Sequence, residues 1–252
     1  MTPLTISRPP AAAGILWIKE GWRLFRKAPI PWMGMTALMF MVIIGVNLIP
    51  WIGHYAVELL SPFLVAGYLA ASRAAQDGEP VTFLHLGAGM RNGRDALLRI
   101  GAAYLIVSLL IFALVGLVTG SDPRALLLQA QDSASLSPDE FNRLITSALP
   151  SMLLAMILFT PLILATWFAP GLALFEAFPA RRALWWSLWA CWVNWRPILY
   201  YSLVLGLFGT LALIIPFGLG MLVLLPLTLT STYVAYRTIF TPGAVMETEA
   251  SP

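Results

Sequence analysis

Apolar residues run through this chain in blocks of about twenty, separated by short segments rich in Arg, Pro and Gly. Runs of roughly 18–25 apolar residues have the length a helix needs to cross a bilayer. Barrel strands would instead alternate over about ten residues. Lipid offers the backbone no hydrogen-bond partner, so each crossing segment must satisfy its own N–H and C=O groups as a helix. The pattern predicts an all-α, polytopic transmembrane bundle of six helices, at about 30–49, 54–72, 96–118, 149–175, 198–214 and 219–236. These lie in one transmembrane domain, 14–240, flanked by a flexible N-terminal tail, 1–13, and a disordered C-terminal tail, 241–252.

Three segments between the runs have a different period. In residues 14–28, Ile15, Ile18, Trp22 and Phe25 recur at helical spacing, with Lys19, Glu20, Arg23 and Lys27 on the other face. Such a helix suits the headgroup region, and packing on the protein's own loops is the alternative. A second surface segment is expected over Thr82 to Asn92, with Thr82 as N-cap and Phe83, Leu86 and Met90 on one face. The third, LWWSLWACWVNW, places Trp185, Trp189, Trp192 and Trp195 along one face, the pattern of an interfacial anchor. Trp22 and Phe25 are expected to anchor the first segment in the same way. The long polar loop 119–147 is expected to hold a short helix over Arg124 to Gln131. A further helix should start at Ser137-Pro138-Asp139-Glu140 and continue into the fourth span, kinked at Pro150, Pro161 and Pro170.

Composition agrees with the pattern: 59% of the 252 residues are hydrophobic and only 11% charged, against about 25% charged in a soluble domain. The opening residues lack the compact apolar core of a removable signal peptide, so the first span is expected to direct insertion. The charges are unevenly placed. With six spans, thirteen of the fifteen Lys and Arg fall on one side, including the span-end residues Lys27, Arg73, Arg94, Arg196 and Arg237; the other side holds Arg124 and Arg143. The positive-inside rule then predicts both termini cytoplasmic and loop 119–147 on the opposite, outer side. Anionic lipid headgroups on the cytoplasmic face are the expected partners, with a membrane protein as a further one. Cations at span ends interleaved with Trp do not call for nucleic acid.

The first and last hairpins share a plan. Ile49-Pro50-Trp51 matches Ile215-Pro216-Phe217, and Pro62 precedes Arg73 by the same eleven residues that separate Pro226 from Arg237. The middle hairpin follows less closely, with Pro161 seven residues before Phe168. Three copies of one unit are expected: surface helix, basic break, span, turn, span.

Polar groups within spans are candidate sites. His54 and Glu58 stand four residues apart, on one helix face, and Asn47 could join them across the turn. A proton- or cation-binding cluster is one reading; wet groups at the outer end of a span is the other. Glu176 beside Arg181 and Arg182 suggests a solvated ion pair. Two His and one Cys, far apart, give no metal signature. Cys191 suits a small packing residue, with acylation the alternative. No phosphate loop, nucleophile elbow or H-E-x-x-H is present, so neither catalysis nor a cofactor is expected.

The motif Ala190-Cys191-x-x-Asn194-Trp195 and the ending Ser231-x-Tyr233-x-x-Tyr236-Arg237-x-Ile239-Phe240 resemble a family of uncharacterised proteobacterial multi-pass inner-membrane proteins. The opening Gly21 to Trp32 is similar to that family's start. The resemblance implies a membrane location and brings no functional residues. A remoter likeness is to membrane domains attached to glycerophosphodiester phosphodiesterases, without their catalytic part. Two functions are expected from these readings. The first is a non-enzymatic scaffold, assembly or lipid-organising factor. The second is a small transporter or channel with a cavity between the Pro-broken spans 2, 4 and 6.

Overall fold

The structure, a computed structural model, describes residues 4–120 and 137–240. The helix expected over Arg124 to Gln131 and the tail after residue 240 lie outside the described residues. Within them the chain is helical and without strands: α1 (Ala13–Lys27), α2 (Pro29–Asn47), α3 (Gly53–Gln76), a 3-10 turn (Phe83–Gly87) leading to the single-turn α4 (Ala88–Arg91), α5 (Arg94–Thr119), α6 (Pro138–Trp167), α7 (Ala169–Phe175), α8 (Ala180–Val193), α9 (Trp195–Ile214), a 3-10 turn (Pro216–Gly218) and α10 (Met221–Phe240).

Five stretches are long and apolar enough to cross a membrane: α2, α3, α5, Ile145–Phe175 and α9. The protein is therefore a membrane protein with an all-α fold. The sixth expected span, α10, falls short of the same apolarity. Its second half carries Thr228, Thr230, Ser231, Thr232 and Tyr233, and all but Thr228 of these are buried. A helix enclosed by protein can carry hydroxyls that lipid would not tolerate.

Three expectations change on contact with the structure. The expected fourth span is not one helix. It breaks at Phe168, because Pro170 has no N–H to continue the ladder from α6. The orphaned Phe168 N–H donates instead to Ser187 Oγ (2.9 Å), and that hydroxyl donates to the Leu164 carbonyl (2.7 Å). The segment expected at 82–92 forms two short pieces. There the Thr82 N–H donates to His85 Nδ1 (3.2 Å), which gives the lone His a local capping role. Residues 4–12 are not a free tail. The Ser7 N–H donates to the Ile239 carbonyl (2.8 Å) and the Ser7 hydroxyl to the Thr238 carbonyl (2.6 Å). These bonds satisfy two of the carbonyls that the end of α10 leaves unpaired.

α1 docks along α10 and α9 through Ala13, Gly14, Trp17, Ile18, Gly21, Leu24 and Phe25. The two glycines set the approach. A Cβ on Gly14 would stand 2.3 Å from the Pro197 carbonyl oxygen, and one on Gly21 would stand 2.6 Å from the Ser231 nitrogen. Thr230 Oγ1 donates to the Gly21 carbonyl across this contact (3.1 Å). α3 and α5 meet as closely at Gly101, whose Cβ would lie 2.3 Å from the Leu59 carbonyl oxygen.

The bundle's middle is filled by large side chains. Trp17, Phe168, Tyr201, Tyr236 and Phe240 pack in one cluster, and Trp32, Met35, Tyr68, Leu69 and Tyr233 in another. Buried hydroxyls tie neighbouring helices together. Tyr68 of α3 shares a hydrogen bond with Thr36 of α2, and Tyr201 of α9 shares one with Thr232 of α10 (3.1 Å). Tyr68 and Thr232 each follow a helix proline by six residues and precede an Arg by five, whereas their partners Thr36 and Tyr201 stand fourteen and fifteen residues before Pro50 and Pro216.

Candidate functional site

Glu58 is the best-placed ionisable group inside the bundle. Its Oε1 lies 3.0 Å from His54 Nε2, one turn earlier on α3, and its Oε2 accepts a hydrogen bond from Ser108 Oγ of α5 (3.0 Å). The Glu58 side chain is 14% exposed and that of His54 64%, so the pair runs from the surface inward. Fifteen residues separate Glu58 from the basic end of α3 at Arg73, which places it roughly 22 Å along the helix axis. Ser108 stands roughly 21 Å along α5 from Arg94 by the same rise. If Arg73 and Arg94 mark one edge of a hydrocarbon layer about 30 Å thick, Glu58 and Ser108 both stand toward its far side.

Asn47 does not join them. It is exposed, and its Nδ2 donates to the Ile43 carbonyl of its own helix (3.0 Å). Ser108 takes the place expected for it. The trace of Ser108 in the sequence is a single hydroxyl within the apolar run AAYLIVSLLIF. The resulting His–Glu–Ser chain clasps α3 to α5. Among the described residues, no group of three or more His, Cys, Asp and Glu could hold a metal.

The second candidate is the end of the bundle where α3 and α10 finish and α5 and α9 begin. α8 packs its Ala183, Ser187, Ala190 and Cys191 against α5, α6 and α7. Its opposite face carries Trp185, Trp189 and Trp192, with Trp195 just beyond, all between 49% and 68% exposed. On α1, Trp22 is exposed and stacks on Phe25, but Phe25 itself is buried in the core beneath. The buried face of α1 keeps Ile18 and Phe25 from the expected apolar face and adds Gly14, Trp17, Gly21 and Leu24, while Ile15 and Trp22 stay exposed.

The five span-end cations are variously engaged. Lys27 Nζ donates to the Ala75 carbonyl near the end of α3 (3.2 Å), where a cation also meets the negative end of the helix dipole. The Arg73 guanidinium lies 5.4 Å over the Phe175 ring, with Nε 4.0 Å from Asp77 Oδ2. Arg94 opens α5, and Arg237 lies in the last turn of α10. Arg196 lies 5.4 Å over the Trp195 ring. The ion pair expected at Glu176 is replaced by other contacts. Glu176 Oε1 accepts from the Tyr236 hydroxyl (3.2 Å), and Arg182 sits 4.0 Å over the Phe178 ring.

Asn194, at the corner between α8 and α9, holds the N-terminal segment in place. Its Nδ2 donates to the carbonyls of Ser7 (3.1 Å) and Ala190 (3.0 Å). Cys191, one turn earlier, is buried, and its thiol points at the Leu164 carbonyl (3.6 Å). Burial pushes that thiol up to about 12, with a small opposing pull from Ser187. A buried, protonated thiol argues against acylation at this position.

No family model matches the chain, and no solved structure does. A protein of Burkholderia thailandensis named as a probable inner membrane protein is 27% identical over 243 residues, spanning 91% of this chain and 89% of that relative. The similarity extends over nearly the whole chain and agrees with the membrane-spanning helices. It does not bear on the short motifs or on phosphodiesterase-attached domains.

Proposed function

We propose that the protein is a non-enzymatic scaffold of the bacterial inner membrane, an assembly or lipid-organising factor that gathers anionic lipid around its basic end. The tryptophan face of α8 carries this reading. Four large aromatics stand outward at the end of the bundle that also collects the span-end cations. Trp prefers the headgroup level, and Arg and Lys there attract anionic lipid. In this reading α10 is a sixth span, both termini are cytoplasmic, and loop 119–147 is periplasmic. A tyrosine–threonine bond ties the two helices of the first hairpin (Thr36–Tyr68) and of the third (Tyr201–Thr232), which supports these hairpins as copies of one unit.

A transporter would need a wet cavity between spans 2, 4 and 6. Pro62 and Pro226 are buried among packed side chains, whereas Pro161 is exposed on the outer surface of α6. Asn47, His54 and Glu58 do not converge on a central space. Both observations support the scaffold over the transporter.

The test is purification from native membrane, with co-purifying lipids and proteins quantified for wild type and for Trp185→Ala/Trp189→Ala/Trp192→Ala. The scaffold reading expects anionic phospholipid or a defined protein partner to be enriched with wild type and depleted with the variant, both remaining helical and monodisperse. Solute flux by wild-type proteoliposomes, blocked by Glu58→Gln, would replace this reading with the transporter.

A further inference from the structure

The N-terminal segment crosses the corner between α8 and α9 and leaves two hollows along its course. One, of about 290 Å³, is lined by Arg8, Asn194, Trp195 and Arg196 beneath the Pro9–Pro10 backbone. The other, of about 370 Å³, is lined by Ile6, Trp185, Trp186 and Trp189, with Thr5 as its polar edge. Both are built on the same two parts, the strap of residues 5–11 and the α8–α9 corner.

The charges in the first hollow are unbalanced. Among the described residues, neither Arg8 nor Arg196 has a carboxylate partner, and no Asp or Glu lines the hollow. The fold nevertheless brings these arginines together from opposite ends of the sequence. Asn194 fixes the Ser7 carbonyl, and Ser7 is tied to Thr238 and Ile239, so Arg8 is held at this corner. Two like charges on one small hollow repel unless an anion lies between them. The arginine fork suits phosphate oxygens in particular. The second hollow, aromatic and almost wholly apolar and formed by the same strap and corner, suits the first methylenes of an acyl chain.

We infer that this corner binds one anionic phospholipid, its phosphate between Arg8 and Arg196 and its chain along Trp185, Trp186 and Trp189. The inference rests on the reading that this end faces the anionic leaflet, and adds a defined, saturable site to it. The strap is part of the site, so the N-terminal segment reads the lipid rather than merely leading to the first helix.

The experiment is native mass spectrometry of the full chain in detergent, with phosphatidylglycerol and phosphatidylcholine supplied together. Wild type should retain one phosphatidylglycerol in preference to phosphatidylcholine. Arg8→Gln/Arg196→Gln should reduce that preference, by about fivefold for each arginine, which is the effect of one basic side chain near an anionic surface. Arg8→Lys/Arg196→Lys should restore most of it. Lys19→Gln/Arg26→Gln, exposed on α1 away from the corner, should leave it unchanged. Both corner arginines are exposed, so the fold should survive the double change, and helicity and elution check this. Trp185→Ala/Trp189→Ala gives an independent arm. It should weaken retention of long-chain phosphatidylglycerol and leave a short-chain form unaffected.

The site is overturned if the α1 variant loses lipid as strongly as the corner variant, since charge would then act diffusely. It is also overturned if the corner variant keeps its lipid, or if millimolar inorganic phosphate strips the lipid from wild type, which would make this a soluble-anion site. A wild type with no preference for phosphatidylglycerol would instead remove the underlying lipid-organising reading, and the site with it.

Discussion

Single residues at the basic end do more than their size suggests. Ser187 is one hydroxyl on a Trp-rich helix, yet it accepts from the Phe168 N–H and donates to the Leu164 carbonyl, repairing the backbone that Pro170 breaks. Cys191 shares the same carbonyl from one turn further on. Its thiol is displaced from 9.0 to about 12 by burial, with Ser187 pulling slightly the other way. The sign follows directly. A raised value in the folded state means the fold favours the protonated thiol, so this contribution is fully present below about pH 9. It is lost as pH rises toward about 12, where the unfolded chain has already given up its proton. Cys191 is the sole cysteine, so a maleimide reports on it alone. At pH 8 the folded protein should label slowly even in detergent, and denaturant should speed labelling by at least about tenfold, as unfolding exposes a thiol of ordinary acidity. Fast labelling of the native protein would mean that α8 detaches from α6.

At the scale of elements, helix contacts are set by glycine as much as by apolar residues. Gly21→Ala would place a methyl 2.6–2.7 Å from the Ser231 backbone, and backbone cannot swing aside as a side chain can. Overpacking of this kind costs about 1–3 kcal/mol. Gly45 of α2 has nothing within 4 Å of where its Cβ would be. There, alanine should stabilise by about 0.5–1 kcal/mol through helix propensity alone. Thermal denaturation in one detergent should move the two variants in opposite directions. Equal shifts would mean that α1 does not dock on α10 as described. The same contrast explains what the sequence could and could not convey. Spans of Leu, Val and Ile announce themselves by length, and the Trp face of α8 by its spacing. The docking face of α1 does so only in part: Ile18 and Phe25 stood on the expected apolar face, but Gly14 and Gly21 carry no hydrophobic signal and only a neighbour's backbone reveals their use. Ser7, Ser108 and Ser187 are hidden for a related reason: each acts on a partner between 19 and 232 residues away. The pairing of Glu58 with His54, four residues apart, was legible; its third member was not.

For the whole molecule, the number of crossings and the position of the termini are one question. Five helices pass a test of apolarity and α10 does not, which taken alone would put the termini on opposite sides. The hydrogen bonds argue otherwise. Asn194, where α9 begins, donates to the Ser7 carbonyl, and the Ser7 N–H donates to Ile239, where α10 ends. One residue therefore touches the start of one helix and the end of the next. If α9 leaves this face and crosses, α10 must cross back to reach Ser7, despite its hydroxyls. Those hydroxyls face α1 and α9 rather than lipid, as Thr230 on Gly21 and Thr232 on Tyr201 illustrate. Six crossings also agree with the charge distribution, thirteen cations on one side against Arg124 and Arg143 on the other. The prediction is made on single cysteines in a Cys191→Ser background, labelled on intact spheroplasts with a membrane-impermeant maleimide. Ser133→Cys should label from outside. Thr5→Cys and Ser251→Cys should both label only after the membrane is opened. Labelling of Thr5→Cys and Ser251→Cys from opposite sides would leave α10 outside the bilayer and would be incompatible with the shared contact at Ser7.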